Sequence, residues 1–425
     1  MLYHKLVTLP VSCIIQNRKL HNIVIHSLTR KHISYSSFMQ LPRYEDNLNY
    51  LDTENDEIDQ ISPVLPKYLN DMNPVFREKD MKDYLSSCVN KTNPYLINDD
   101  VGNEFSRLIK DDLLKNMCYV IELNPGYGLL TRRLLEIGVS FIHLFEDCDK
   151  FYHELQSLQA IFPNRVKITK ANLLKISKML NLNSASKMFN TPNIHLCELL
   201  DNVPKRKWEE KSCMQVIGTV TKYVFIRHLI ISVVFQTGFM MQGRTIFYLA
   251  LSPSIWNVST KLTCRNKRGL TIYIMFNILF NATMLGVLDR QGFLPQQQNR
   301  KLDSRNLIFD NNNEPFYIVK LEPKTDLLSL FGGREQLIYF WHFVRHCLYK
   351  PSLRIIPTLE KIIPGFGVRL IEKDYNIFTE FNELNINQIV DLYMEFKSYP
   401  GFNESSFLSS GNDIRRTYDP YMEEE

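Results

Sequence analysis

From Tyr95 to Thr169, short apolar runs alternate with segments whose apolar residues recur at helical spacing. Phe105, Leu108, Ile109 and Leu113 fall three or four apart, which predicts a helix over Val101–Leu114. The run Cys118–Leu123 reads as a strand, Leu129–Ile137 as a helix and Phe141–Phe145 as the next strand. A helix over Lys150–Phe162 and a strand over Val166–Thr169 complete the series. Strand and helix alternating at this pitch predict a parallel, doubly wound sheet. The stretch 172–211 is irregular, because Pro192 and Pro204 interrupt any long element. Apolar segments return at Gln215–Val220, Val224–Met240 and Thr245–Leu251. From Leu327 the pattern is helical, over Glu335–Leu348, Leu353–Ile362 and Ile386–Lys397, with Asn385 as the cap of the last. The organisation expected is an α/β domain over 67–323, a smaller helical C-terminal domain over 324–410, and a polar acidic tail over 411–425.

Two further segments qualify that plan. Residues 1–44 contain Lys5, Arg18, Lys19, Arg30, Lys31 and Arg43 and no acid, in a setting rich in Ser, Thr and Leu. That is the composition of a mitochondrial transit peptide, whose basic amphipathic helix is drawn across an energised membrane. Residues 45–66 then hold seven acids and no base, and read as a disordered linker. Leu270–Leu288 carries no charge, but Asn277, Asn281 and Thr283 are costly in lipid. A buried helix running into a strand is expected there, with no membrane insertion.

Composition narrows the class further. With 425 residues, 44% hydrophobic, the chain can bury a large core. Its eight cysteines are scattered without a Cys-x-x-Cys pair, which argues against a zinc ribbon or a disulfide framework, and no metal site is expected. The net charge of +4 is modest, but its distribution is uneven. No acid lies between Glu210 and Asp289, whereas Lys211, Lys222, Arg227, Arg244, Lys261, Arg265, Lys267 and Arg268 do. A one-sign stretch of this length suggests phosphate contacts, with Lys261, Arg265, Lys267 and Arg268 as the nucleic-acid-binding candidates.

The sharpest chemical signal is Val120–Thr131. A strand ends at an acid, Glu122, and Asn124-Pro125-Gly126-Tyr127-Gly128 turns the chain directly into a helix. Glycines in such a turn let backbone approach a ligand that a side chain would block. A carboxylate at this strand end can receive the ammonium of an amino-acid-bearing cofactor. The next strand ends in Glu146-Asp147-Cys148-Asp149; Glu146 is the candidate for ribose hydroxyls, with Asp147 nearly as plausible by spacing.

This segment resembles motif I of the rRNA adenine dimethyltransferase family, Glu-x-Gly-x-Gly-x-Leu-Thr, through Glu122, Gly126, Gly128, Leu130 and Thr131. Asn124-Pro125 within the turn is closer to its mitochondrial transcription factor B branch. Tyr95-Leu96-Ile97-Asn98-Asp99 resembles the family segment that closes over the cofactor, and Tyr317–Pro323 and Phe340–Cys347 resemble later parts of the same branch. The resemblance implies a Rossmann-like S-adenosylmethionine-dependent methyltransferase domain. It also implies S-adenosyl-L-methionine as cofactor, with Leu96, Glu122, Asn124, Gly126, Gly128, Glu146 and Asn172 as its binding residues.

The chain departs from the family's enzymes at two places. Where they carry Asn-Leu-Pro-Tyr or a close relative, this sequence reads Ile217-Gly218-Thr219-Val220-Thr221-Lys222-Tyr223. Tyr223 can still stack on a base and is the remaining catalytic candidate, but the amide that would hold an adenine amine is missing. Asn172 stands where an acid is expected to meet the cofactor's adenine, so binding is expected to be weakened and methyl transfer weak or lost. By resemblance to the transcription factor B proteins, the expected function is mitochondrial transcription initiation. The chain would assist mitochondrial RNA polymerase in melting promoter DNA, in the matrix nucleoid. The alternative is dimethylation of adenines in mitochondrial small-subunit rRNA.

Overall fold

The computed structural model describes residues 94–116, 118–175, 196–261, 267–294, 314–348, 350 and 352–418. The chain divides into two units, Met1–Ile61 and Ser62–Glu425, and all the described residues belong to the second. The leader over 1–44, the linker over 45–66 and Arg265 lie outside the described residues.

The alternation read from the sequence appears almost residue for residue. A two-residue strand β1 (Tyr95–Leu96) precedes helix α1 (Asp99–Lys115), followed by β2 (Tyr119–Leu123), α2 (Leu129–Glu136), β3 (Ile142–Phe145), α3 (Asp149–Ile161) and β4 (Val166–Thr169). After α4 (Leu196–Leu199) come β5 (Met214–Val220), α5 (Tyr223–Phe235), β6 (Thr245–Leu251), α6 (Pro253–Thr260), α7 (Lys267–Leu279), β7 (Phe280–Leu288), β8 (Phe293–Leu294) and β9 (Phe316–Pro323). The main sheet runs β4-β3-β2-β5-β6-β9-β7, while β1 pairs with β8 apart from it. Strands β4 to β6 are parallel, and β9 runs antiparallel to both its neighbours. The order reverses between β2 and β5, so the crevice of this doubly wound sheet opens beyond their carboxyl ends.

Both sheet faces are covered, which explains why the central parallel strands are largely apolar, with Glu122, His143 and Gln215 buried among them. Successive residues face opposite sides. Val120, Ile142, Leu144, Ile246 and Ile318 join Phe105, Leu134 and Leu155 of α1, α2 and α3 in one core. Ile121, Val216, Phe247, Leu249 and Val319 join the other core with α5 and α7.

That second core continues without a break into the C-terminal helices α8 (Leu327–Phe331), α9 (Arg334–Cys347), α10 (Ile355–Ile362), α11 (Phe366–Glu372), α12 (Ile386–Ser398) and α13 (Ser406–Tyr418). Every residue of α9 from Leu337 to Val344 is buried. Trp341 meets Phe235 of α5 edge to face at 5.2 Å, and Arg334 Nη2 donates to the Phe235 carbonyl at 2.6 Å. Residue 324 therefore marks a change from sheet to helix but no gap in packing. Asn385 caps α12 through a reciprocal pair with Gln388, as the sequence predicts.

Three local readings change. The apolar segment Val224–Met240 is a helix that stops at Phe235, because Gln236 turns left-handed (φ 48°), followed by a separate turn over Gly238–Met240. Helix α13 crosses residue 410, where the polar tail was expected to begin, and Phe407 and Ile414 tie it to the core. The third change concerns Arg244, which was grouped with phosphate-binding bases. It is only 4% exposed and donates to the carbonyls of Trp208 (2.7 Å), Glu210 (2.8 Å) and Pro323 (3.0 Å) and to Glu322 (3.2 Å). It is a fastening between β6, β9 and the irregular segment before β5.

The uncharged stretch 270–288 is the expected helix running into a strand. Asn277 Nδ2 donates to the carbonyls of Ser259 and Tyr273 at 2.9 and 2.7 Å, so its polarity is satisfied within the protein. Among the described residues, no helix is long and apolar enough to cross a membrane.

Candidate functional site

The turn between β2 and α2 holds three left-handed residues within five positions: Asn124 (φ 51°), Gly126 (φ 60°) and Gly128 (φ 73°). Its shape is fixed at both ends, by Asn124 N–H donating to the Phe145 carbonyl (3.0 Å) and Gly128 N–H to the Pro125 carbonyl (3.0 Å). The two glycines answer to different neighbours. A Cβ on Gly126 would lie 2.9 Å from the Tyr95 ring, whereas one on Gly128 would meet Leu158 and Leu155 of α3 at 2.8 and 3.0 Å. Gly128 thus serves helix packing, and Gly126 lies under an aromatic cover. Gly128→Ala combines left-handed strain with overpacking and is expected to cost about 2–4 kcal/mol. A urea melt of the variant against the parent chain measures it.

Two buried acids flank the turn. Glu122, the penultimate residue of β2, is 3% exposed and accepts the Thr131 hydroxyl at 2.7 Å. Burial pushes its carboxyl up to about 7; the Thr131 bond opposes this and the nearby Glu146 adds to it. Glu146, just beyond β3, is fully buried. Its Oε2 accepts the Gly126 N–H at 3.2 Å, and its Oε1 accepts the Cys148 N–H at 3.0 Å and the Tyr95 hydroxyl at 3.3 Å. Burial also raises this carboxyl to about 7, against the lowering effect of those three donors. An ammonium brought near the pair would favour the ionised forms, so the arrangement suits a cationic ligand bearing hydroxyls.

Asn124 adds a second pointer. Its side-chain Oδ1 and Nδ2 are both shut off from solvent and have no hydrogen-bond partner among the described residues. A buried amide left unsatisfied costs about 1–3 kcal/mol, and a ligand able to both donate and accept would recover that.

The other candidates are distributed along the same edge. Asn172 follows β4 and is 8% exposed; its Nδ2 donates to Asp147 (3.0 Å) and its Oδ1 accepts the Leu174 N–H (3.1 Å). Leu96 is buried in the β1–β8 pair, opposite Phe293. Tyr223 is half-buried as the first residue of α5, just past the carboxyl end of β5, and exposed Lys222 caps that helix through its backbone. Gly218, the β5 partner of Leu123, leaves no room for a side chain, since its Cβ would sit 3.0 Å from that of Leu123. Of the basic cluster, Lys261 is exposed at the end of α6, and Lys267 and Arg268 open α7. Glu122, Asn124, Gly126, Gly128 and Glu146 come together around one turn. Asn172 joins them through Asp147, and the basic residues belong to the connection after β6.

Tyr95 was not among the candidates. It is 6% exposed, and its ring packs on Phe151 at 4.8 Å, with Tyr127 on that phenylalanine at 4.7 Å. Its place at the head of the covering segment was the available signal. The bond to Glu146 spans 51 positions and is not readable from local pattern.

No family model matches the chain. Mitochondrial dimethyladenosine transferase 2 of Drosophila melanogaster is 30% identical over 365 residues, covering 75% of this chain and 79% of that protein. The Bos taurus protein of the same name is 22% identical over 325 residues, or 72% and 75% of the two chains. Among solved structures, a Plasmodium falciparum dimethyladenosine transferase aligns over 71% of this chain and 97% of its own with a TM-score of 0.45 and 12% identity. The 23S rRNA methyltransferase ErmE aligns over 72% and 100% with a TM-score of 0.43 and 13% identity. Given the identity to the fly protein, sustained across most of both sequences, the chain belongs to the family of mitochondrial dimethyladenosine transferase 2.

Proposed function

We propose that the protein is a mitochondrial transcription initiation factor of the transcription factor B branch, built on an adenine dimethyltransferase scaffold. In this reading it assists mitochondrial RNA polymerase by melting promoter DNA and holding an unpaired strand. Mitochondrial residence is supported by the names of both relatives and by the basic, acid-free leader.

The observation that carries the reading is the sequence at and beyond the carboxyl end of β5. There Thr219, Thr221 and Lys222 precede a half-buried Tyr223, with no side-chain amide to grip an adenine amine. Such a mouth retains a stacking ring and gains a cation, which suits an unstacked base and its phosphates better than methyl transfer. Lys261, Arg265, Lys267 and Arg268 would supply further phosphate affinity, salt-dependent and indifferent to sequence.

The cofactor side of the scaffold favours a second activity in parallel. Glu122, the orphaned amide of Asn124, the left-handed Gly126 and Glu146 fit S-adenosyl-L-methionine: an acid for its ammonium, an acid for its ribose and a turn free of side chains beneath Tyr95. When bound, that group supplies an activated methyl. Asn172 would meet its adenine through a carbonyl already committed to Leu174 N–H. Dimethylation of small-subunit rRNA adenines is the activity this half of the site supports.

Run-off transcription by the cognate mitochondrial polymerase, on duplex and pre-melted promoters, separates the two. The initiation reading expects transcript from duplex to rise at least tenfold with the protein and transcript from the pre-melted template to change little. Equal output with and without the protein on both templates would reject it.

A further inference from the structure

Glu146 is the acid expected to receive ribose hydroxyls, yet three donors of the chain already bind its carboxylate. Gly126 N–H takes one oxygen, and Cys148 N–H and the Tyr95 hydroxyl share the other. The two backbone donors belong to the turn itself and are compatible with a ligand. Tyr95 is different. Its hydroxyl presents to Glu146 the same O–H donor that a ribose would, and its ring lies over Gly126, where a Cβ would come within 2.9 Å of Cδ1. One side chain therefore lies against both the acid and the glycine that the cofactor reading assigns to a nucleoside.

Tyr95, Ile97, Phe151 and Leu294 form a small apolar cluster of their own, distinct from the two large cores on the sheet faces. Among the described residues it is tied by a two-residue ladder, Tyr95 to Leu294 and Leu96 to Phe293, by a bond from Ile97 N–H to the Gly292 carbonyl at 2.9 Å, and by Leu96 and Phe293, which reach into the core on one sheet face. Turning the Tyr95 side chain away from Glu146 would disturb this small cluster first.

We propose that Tyr95 is an internal plug of the nucleoside subsite, holding Glu146 in place of a ribose hydroxyl, so that cofactor enters only by displacing it. The proposal rests on the cofactor reading of the site given above, and it makes Tyr95 a determinant of affinity. Tyr95 competes with ligand for one carboxylate oxygen and for the space over Gly126. Removing the hydroxyl ends the first competition, and removing the ring ends both.

The test is calorimetric titration of S-adenosylhomocysteine into the full chain as wild type, Tyr95→Phe and Tyr95→Ala. Tyr95→Phe keeps the packing on Phe151 and guards against loss of folding, which a thermal melt of each variant monitors. The expected order of affinity is alanine above phenylalanine above wild type, with Tyr95→Phe binding three- to tenfold tighter than wild type. A competition series with adenosine and 2′,3′-dideoxyadenosine isolates the hydroxyl: the gain from Tyr95→Phe should be present for adenosine and absent for the dideoxy compound. Wild-type binding that is unchanged or weakened in Tyr95→Phe overturns the plug and leaves the cofactor reading standing. Failure of all three folded proteins to bind overturns both.

Discussion

Arg244→Met is expected to destabilise the protein by about 3–5 kcal/mol, the range for removing one partner from a buried charged network. Methionine fills much of the same volume, so the loss is chiefly in hydrogen bonding. Three carbonyls, of Trp208, Glu210 and Pro323, lose their donor at once. Glu322 is less exposed to the change, because Lys320 remains 3.6 Å from it. Lysine at position 244 should recover only part of the loss, since a single ammonium cannot span the directions that a planar guanidinium covers. Urea unfolding of the two variants and the parent measures this. A loss below about 1 kcal/mol for methionine would mean that the β6–β9 junction holds without the fastening.

Glu122→Gln is expected to do the opposite, increasingly as pH rises from about 4.5 to 7. The folded chain holds the Glu122 proton up to about pH 7, whereas an unhindered glutamate releases it near 4.5. Folded protein therefore gains from this group below pH 4.5 and loses the gain as pH rises toward 7. The interval corresponds to ~3 kcal/mol at its upper limit. Glutamine keeps the shape and can still accept from Thr131, but carries no charge to bury. At pH 8 the variant should be more stable than the parent by up to that amount, and near pH 4.5 the two should coincide. Thermal melts at the two pH values decide it; a constant offset between them would trace the effect to packing.

The elements from β2 to β4 were legible within a residue or two because each is decided locally, by an apolar run or a helical stripe. The acids and glycines of the site were legible for a related reason: Glu122, Gly126 and Gly128 are residue types that few other demands explain in that order. What escaped was non-local. Strands β1 and β8 are two residues each and exist only through each other. Helix α13 carries serines and Gly411 on a polar run, and becomes a helix by packing Phe407 and Ile414 on α9 and its neighbours. Arg244 looked like its basic neighbours because a charge count carries no burial. Tyr95 could be located beside the cofactor segment, but its direction toward Glu146 belongs to the fold alone.

The strand order has a consequence for how the protein is made. Strand β9 is the last in the chain, yet it lies between β6 and β7 and is the partner of both. A chain growing from its N-terminus therefore presents β6 with an open edge, and β7 with no neighbour at all, until residues 316–323 have emerged. Unpaired edges of this kind invite association with other chains. The same holds for any polypeptide delivered N-terminus first through a narrow pore. Completion of the sheet waits for β9, and until then the edge of β6 stays open to association.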